Sequence, residues 1–181
     1  MSRGSDDSPV ELLREVERRS RRRAAPLPKQ EDVRDQWSGI GFRVGDLRVV
    51  AALGEVTEIL ALPVLTRVPG AKSWVLGIAN VRGNLLPIMD LDGYLHGRRT
   101  GITKRSRVLV INRRGVYAGL LVDEVLALRH FEEDDKAADI PEADPAVRPY
   151  LDRGYISGDE SWPVFSVRRL AESPLFLQVA V

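Results

Sequence analysis

A chain of 181 residues with 44% apolar side chains can build one domain with a real core, or two small barrels sharing one, but not several independent domains. It has no cysteine, which excludes disulfides, thiolate catalysis and cysteine-bearing zinc or iron–sulfur sites. A net charge of +1 argues against a dedicated nucleic-acid binder, and with no apolar run near ~20 residues and no signal-peptide start the expectation is a cytoplasmic protein without membrane insertion.

Residues 1–37 differ in grammar from the rest and read as a partly helical or disordered extension, leaving 38–181 as the folded domain. Ser8-Pro9-Val10-Glu11 has the form of a capping box, and Leu12, Leu13 and Val16 add a short apolar stripe. The helix runs into Arg18-Arg19-Ser20-Arg21-Arg22-Arg23 and stops before Pro26. The arginines read as a solvated linker balanced by Glu11, Glu15 and Glu17; the rival reading is an arm that contacts nucleic acid or anionic lipid. The stripe is too narrow for a membrane helix.

From Ile40 onward the pattern predicts strands. Residues 40–44 and 47–53 flank Gly45-Asp46, a two-residue hairpin signal, and 56–60 reads as a further short strand. Residues 63–73 read as a loop with one helical turn before Trp74. In 74–95 two apolar runs fold back on each other at Asn80-Val81-Arg82-Gly83-Asn84, where Gly83 can supply a positive φ. Pro87 cannot donate to a ladder, so the second run is expected at a sheet edge or as a late entrant, and an edge beside an exposed Arg82 offers a docking place. Residues 93–104, glycine-rich and basic, read as an exposed connector. Strands at 108–111 and 116–121 follow, with 122–128 continuing that sheet. Residues 132–149 form a long connector, 150–156 and 162–167 close the domain, and 175–181 adds a last strand or helix edge.

The two halves repeat. A hairpin at Gly45-Asp46 precedes Gly77 and Pro87-Ile88-Met89-Asp90-Leu91; a hairpin at Arg114-Gly115 precedes Gly154 and Pro163-Val164-Phe165-Ser166-Val167. The offset of roughly 70 to 76 residues predicts two similar small β-barrels packed face to face, with a groove at their seam.

Gly77-Ile78-Ala79-Asn80-Val81-Arg82-Gly83 followed by Leu86-Pro87-Ile88-Met89-Asp90-Leu91 resembles the signature of the CheW family of chemotaxis coupling proteins, departing only at Val81, where the family usually has Leu. Gly119-Leu120-Leu121-Val122-Asp123-Glu124-Val125 resembles the family's second-half motif, and the resemblance spans about residues 40–171. The N-terminal extension is similar to that of the PilI-type couplers of twitching motility. The resemblance implies a mostly β fold of two intertwined, SH3-like five-stranded barrels. It also implies a non-catalytic adaptor joining a methyl-accepting chemoreceptor tip to the regulatory domain of a CheA-like histidine kinase, recruited to membrane-associated receptor arrays. The positions matching the family's receptor and kinase contacts are Val56, Glu58, Asn80, Arg82 and Gly83. Val56 would offer apolar area to the receptor's helical hairpin and Arg82 a charged anchor.

Enzyme readings find no machinery. His96 and His130 have no second histidine at metal spacing and read as ordinary surface residues, so neither a metal nor another cofactor is expected. Gly39-x-Gly41 lacks the third glycine and the helix of a dinucleotide site, and no phosphate-cradling or serine-nucleophile motif occurs. Asp90 and Asp92 would share one face of a strand, but a strand ending in a turn through Asp92-Gly93 explains both. Asp123 and Glu124 are expected on opposite faces. No small-molecule substrate is implied. A nucleic-acid-binding small barrel with a basic arm is the alternative, weakened by an aromatic content of only 6%, which leaves few stacking platforms.

Overall fold

The computed structural model describes residues 36–140 and 144–179; the capping box, apolar stripe and arginine run of the extension lie outside them. The first hairpin forms as its turn chemistry dictates: β1 (Trp37–Val44) and β2 (Leu47–Ala52) join at Gly45-Asp46, with Gly45 at φ 58°. After a 3-10 turn at Leu53–Glu55 the chain leaves that sheet. The strands β3 (Glu58–Ala61), β4 (Val75–Val81), β5 (Asn84–Asp90), β6 (Arg107–Arg113) and β7 (Val116–Val122) make a second sheet in the order β3-β6-β7-β5-β4. Residues 122–128 do not continue it. At Asp123 the chain crosses back, and β8 (Glu124–Phe131) pairs with β1, with β9 (Leu151–Ser157) and β10 (Glu160–Phe165) completing the order β8-β1-β2-β10-β9.

The repeat is real and its strands are exchanged. Each sheet combines the leading hairpin of one repeat with three strands of the other. β3 lies antiparallel to β6 as β8 lies antiparallel to β1, and β5 runs parallel to β7 as β10 runs parallel to β2. Each sheet curls onto itself through a matching bridge, Thr66 to Ile78 in one and Lys136 to Tyr155 in the other.

Three apolar clusters follow from this arrangement. Ala79, Leu86, Ile88, Val108, Val110 and Leu121 fill the barrel of β3–β7, while Val50, Phe131, Tyr155, Trp162 and Val164 fill the other. Between them Phe42, Val49, Leu109, Leu120, Phe165 and Phe176 belong to a third, shared cluster. Successive strand residues point to opposite faces, so Val108 and Val110 enter a barrel while Leu109 and Ile111 enter the shared core. That double burial explains why these strands read as unbroken apolar runs.

Pro87 sits on a central strand, not an edge. It pairs with Ile78 of β4, and the parallel ladder with β7 starts at Ile88, so the strand enters that pairing only after the proline. The predicted connector at 93–104 overlaps a helix, α1 (Leu91–His96), capped by Asp90 at its start and by Gly97 at φ 69° at its end. In the second repeat Ser166 caps α2 (Val167–Glu172) in the same way, and the last segment forms α3 (Pro174–Leu177). The loop at 63–73 holds no helical turn. Among the described residues no helix is long and apolar enough to cross a membrane.

Candidate functional site

The turn between β4 and β5 is two residues long, and both take left-handed backbone: Arg82 at φ 52° and Gly83 at φ 86°. Gly83 adopts the conformation expected of it. Arg82 adopts it as well, at a cost of about 1–2 kcal/mol for a residue with a Cβ, so the tip is held by its neighbours. The Asn80 side chain accepts a hydrogen bond from the Gly83 amide at 2.9 Å, and Arg82 Nη2 donates to Glu58 Oε1 at 2.6 Å. Glu58 stands on β3 and the turn ends β4, the two outer strands of this sheet, so the ion pair clasps the barrel where its edges meet.

Four of the five predicted positions therefore come together: Glu58, Asn80, Arg82 and Gly83. Arg82 keeps 77% of its side chain exposed, against 28% for Glu58, leaving most of the guanidinium open to a partner. Val56 is placed differently. It is half-buried and packs against the shared core, so much of its apolar area is already used inside. Leu85 was missed: it lies directly across from Asn80 and is 69% exposed. Period-two alternation from buried Leu86 was the available signal.

The other polar groups singled out in the sequence have structural partners. Asp90 is 1% exposed and accepts from Gly93 N, Thr100 N and Thr100 Oγ1, at 3.1, 2.9 and 2.6 Å. Asp92 lies one residue into α1, so the two carboxylates do not share a strand face. Its Oδ1 is 2.6 Å from His96 Nδ1, and His96 Nε2 is 3.6 Å from Asp144. His96 is thus not an ordinary surface residue, being only 13% exposed between two carboxylates; His130 is exposed and bonded to Ser38. Asp123 and Glu124, expected on opposite faces, both meet Arg43, because the chain changes sheet there. The hydrogen bond from Arg43 holds the Glu124 carboxyl below its ordinary range, and the same bond raises the guanidinium. No group of three or more metal-ligating side chains occurs among the described residues.

Residues 38–174 match the family model described as the CheW-like domain. The chain belongs to the CheW-like family. Among its CheW-like relatives is Protein PilI of Pseudomonas aeruginosa, 45% identical over 174 residues, covering 96% of this chain and 97% of that protein. Protein FrzA of Myxococcus xanthus is 36% identical over 94 residues, 52% of this chain and 59% of FrzA. The crystal structure of the scaffolding protein TtCheW from Thermoanaerobacter tengcongensis superposes with a TM-score of 0.65 at 21% identity, covering 76% of this chain and 94% of TtCheW, a likeness of fold. The CheW-like match and the PilI relative support a chemosensory coupling role.

Proposed function

We propose that this protein is a non-catalytic adaptor that couples a methyl-accepting chemoreceptor to a CheA-like histidine kinase at membrane-associated arrays, in the control of twitching by type IV pili. The observation that carries the reading is the Arg82 tip, a strained two-residue turn pinned by Asn80 and Glu58 that presents a largely exposed guanidinium beside exposed Leu85. A fixed arginine can pair with a carboxylate on two bonds with little further loss of freedom, and arginine is enriched among interface hot spots. The extensive match to PilI supports the twitching branch.

An adaptor moves no covalent bond. It changes kinase output only by binding the signalling states of the array with different affinities. The nucleic-acid alternative loses ground, since no aromatic side chain is exposed among the described residues. The test is calorimetric titration of the full chain against the regulatory domain of the CheA-like kinase of the same cell. Saturable one-to-one binding is expected; a folded protein that releases no binding heat at any concentration refutes the reading.

A further inference from the structure

We infer that the opposite end of β4 carries a second docking site, for an acidic, aliphatic segment of a partner protein. Arg67 and Lys72, from the loop after β3, and Arg99, from the connector after α1, line a cleft of about 190 Å³ whose lining includes no carboxylate. None of the three side chains has an ion-pair or hydrogen-bond partner among the described residues. Neighbouring cations differ: Arg98 is 3.5 Å from Asp92, and Arg105 is 3.7 Å from Glu124. Three unneutralised cations around one cavity favour an anionic occupant.

A second cleft adjoins the first and narrows the choice. It measures about 210 Å³, shares the Val68, Ala71 and Val75 walls, and is floored by Ile78, Pro87 and Met89 with no charged residue. The loop that separates the two is fixed from both sides, by Lys72 N donating to Val179 O and Val75 N donating to Lys72 O, each at 3.0 Å. A ligand filling both clefts must place a negative charge beside aliphatic groups. Phosphate alone would use only the first, and nucleic acid would want an aromatic platform, which neither cleft has. Lipid-surface sites gather about 4–8 basic residues, more than the three here. A segment with Asp or Glu next to Leu, Ile or Val satisfies both clefts. The first cleft lies about 20 Å from Arg82, the length of a seven-residue strand, and the floor of the second, at Ile78, about 13 Å from it, so the site is separate from the adaptor contact and does not rest on that reading.

Fluorescence anisotropy of a labelled peptide, Glu-Leu-Asp-Leu-Glu-Leu, against the full chain tests this. Saturable binding is expected, weakened roughly tenfold in R67E/K72E/R99E and weakened by raising salt from about 50 to 300 mM. Val68→Asp should weaken it too, whereas Arg82→Glu should leave it unchanged, which separates this site from the adaptor surface. If the triple variant fails to melt cooperatively, the exposed Arg99→Ala alone should still cost two- to threefold, roughly one surface ion pair. Failure of the peptide to bind the parent chain, or equal binding to the folded variants, overturns the proposal. So does tighter binding to vesicles of about 20% phosphatidylserine that is lost in the triple variant, an outcome that assigns the cations to a lipid surface.

Discussion

Reversing the charges of the Arg82–Glu58 clasp separates a contact role from a closure role. The pair is 2.6 Å apart with Arg82 mostly exposed, so solvent screening limits it to about 0.2–1 kcal/mol. Arg82→Glu removes that attraction and sets two carboxylates near each other, a repulsion of about 1 kcal/mol in water. The summed loss of about 1–2 kcal/mol lowers the melting temperature by roughly 3–8 °C in a domain of this size. Combining Glu58→Arg with Arg82→Glu rebuilds the pair in reverse and should recover most of the melting temperature. Partner affinity should behave otherwise. If the guanidinium at the turn tip touches the partner, the single variant and the swap both lose about 1–3 kcal/mol of binding. Scanning calorimetry and titration calorimetry on the four proteins of this cycle give both quantities. Parent affinity in the swap, or unchanged affinity in a folded Arg82→Glu, would refute the contact role.

Other outcomes follow from single atoms. A Cβ at Gly77, which has φ 149°, would stand 2.5 Å from the Thr66 carbonyl oxygen that bridges the barrel; Gly77→Ala should cost about 2–4 kcal/mol in urea unfolding. Asp90→Ala strands the buried Thr100 amide and uncaps α1, and should lose a similar amount, about 2–4 kcal/mol. Burial pushes the Tyr94 hydroxyl up to about 12. The folded state then holds this proton more tightly than the unfolded chain, so the stabilisation is complete below about pH 10 and lost as pH rises through 12. Phenolate absorbance should show one tyrosine ionising only near pH 12, and that step should come earlier in Phe176→Ala, where the ring packed on Tyr94 is gone.

The hairpins were legible because each depends on two adjacent residues. Gly45-Asp46 and Arg114-Gly115 state their turns locally, and both form. The repeat was legible too, yet which strand joins which sheet was not, since β8 leaves the β7 sheet at Asp123 through contacts with Arg43 and Gly45, some 80 residues away in sequence. Helix α1 was missed because Asp90 followed by Gly93 serves a turn and a helix cap equally well. At the candidate site the two-residue turn itself sets positive φ at both Arg82 and Gly83, as the matching turn does at Arg114 and Gly115; only the pairing of Arg82 with a carboxylate on another strand had no local mark. That Val56 turns part of its surface to the shared core was equally nonlocal.

The exchange of strands between repeats makes each half of the chain incomplete. A fragment ending before β6 would contain the β1–β2 hairpin without β8 and β10, and β3 without β6. Two such fragments could supply each other's missing partners about a two-fold axis, as the subunits of an isologous dimer do. The connector from residue 97 to 106 then acts as a tether, replacing a bimolecular encounter with an effective concentration of about millimolar. Its exposed residues between the Gly97 cap and buried Thr100, and beyond it, can vary provided the segment still spans the gap, whereas cutting it should turn a concentration-independent fold into one that dissociates on dilution.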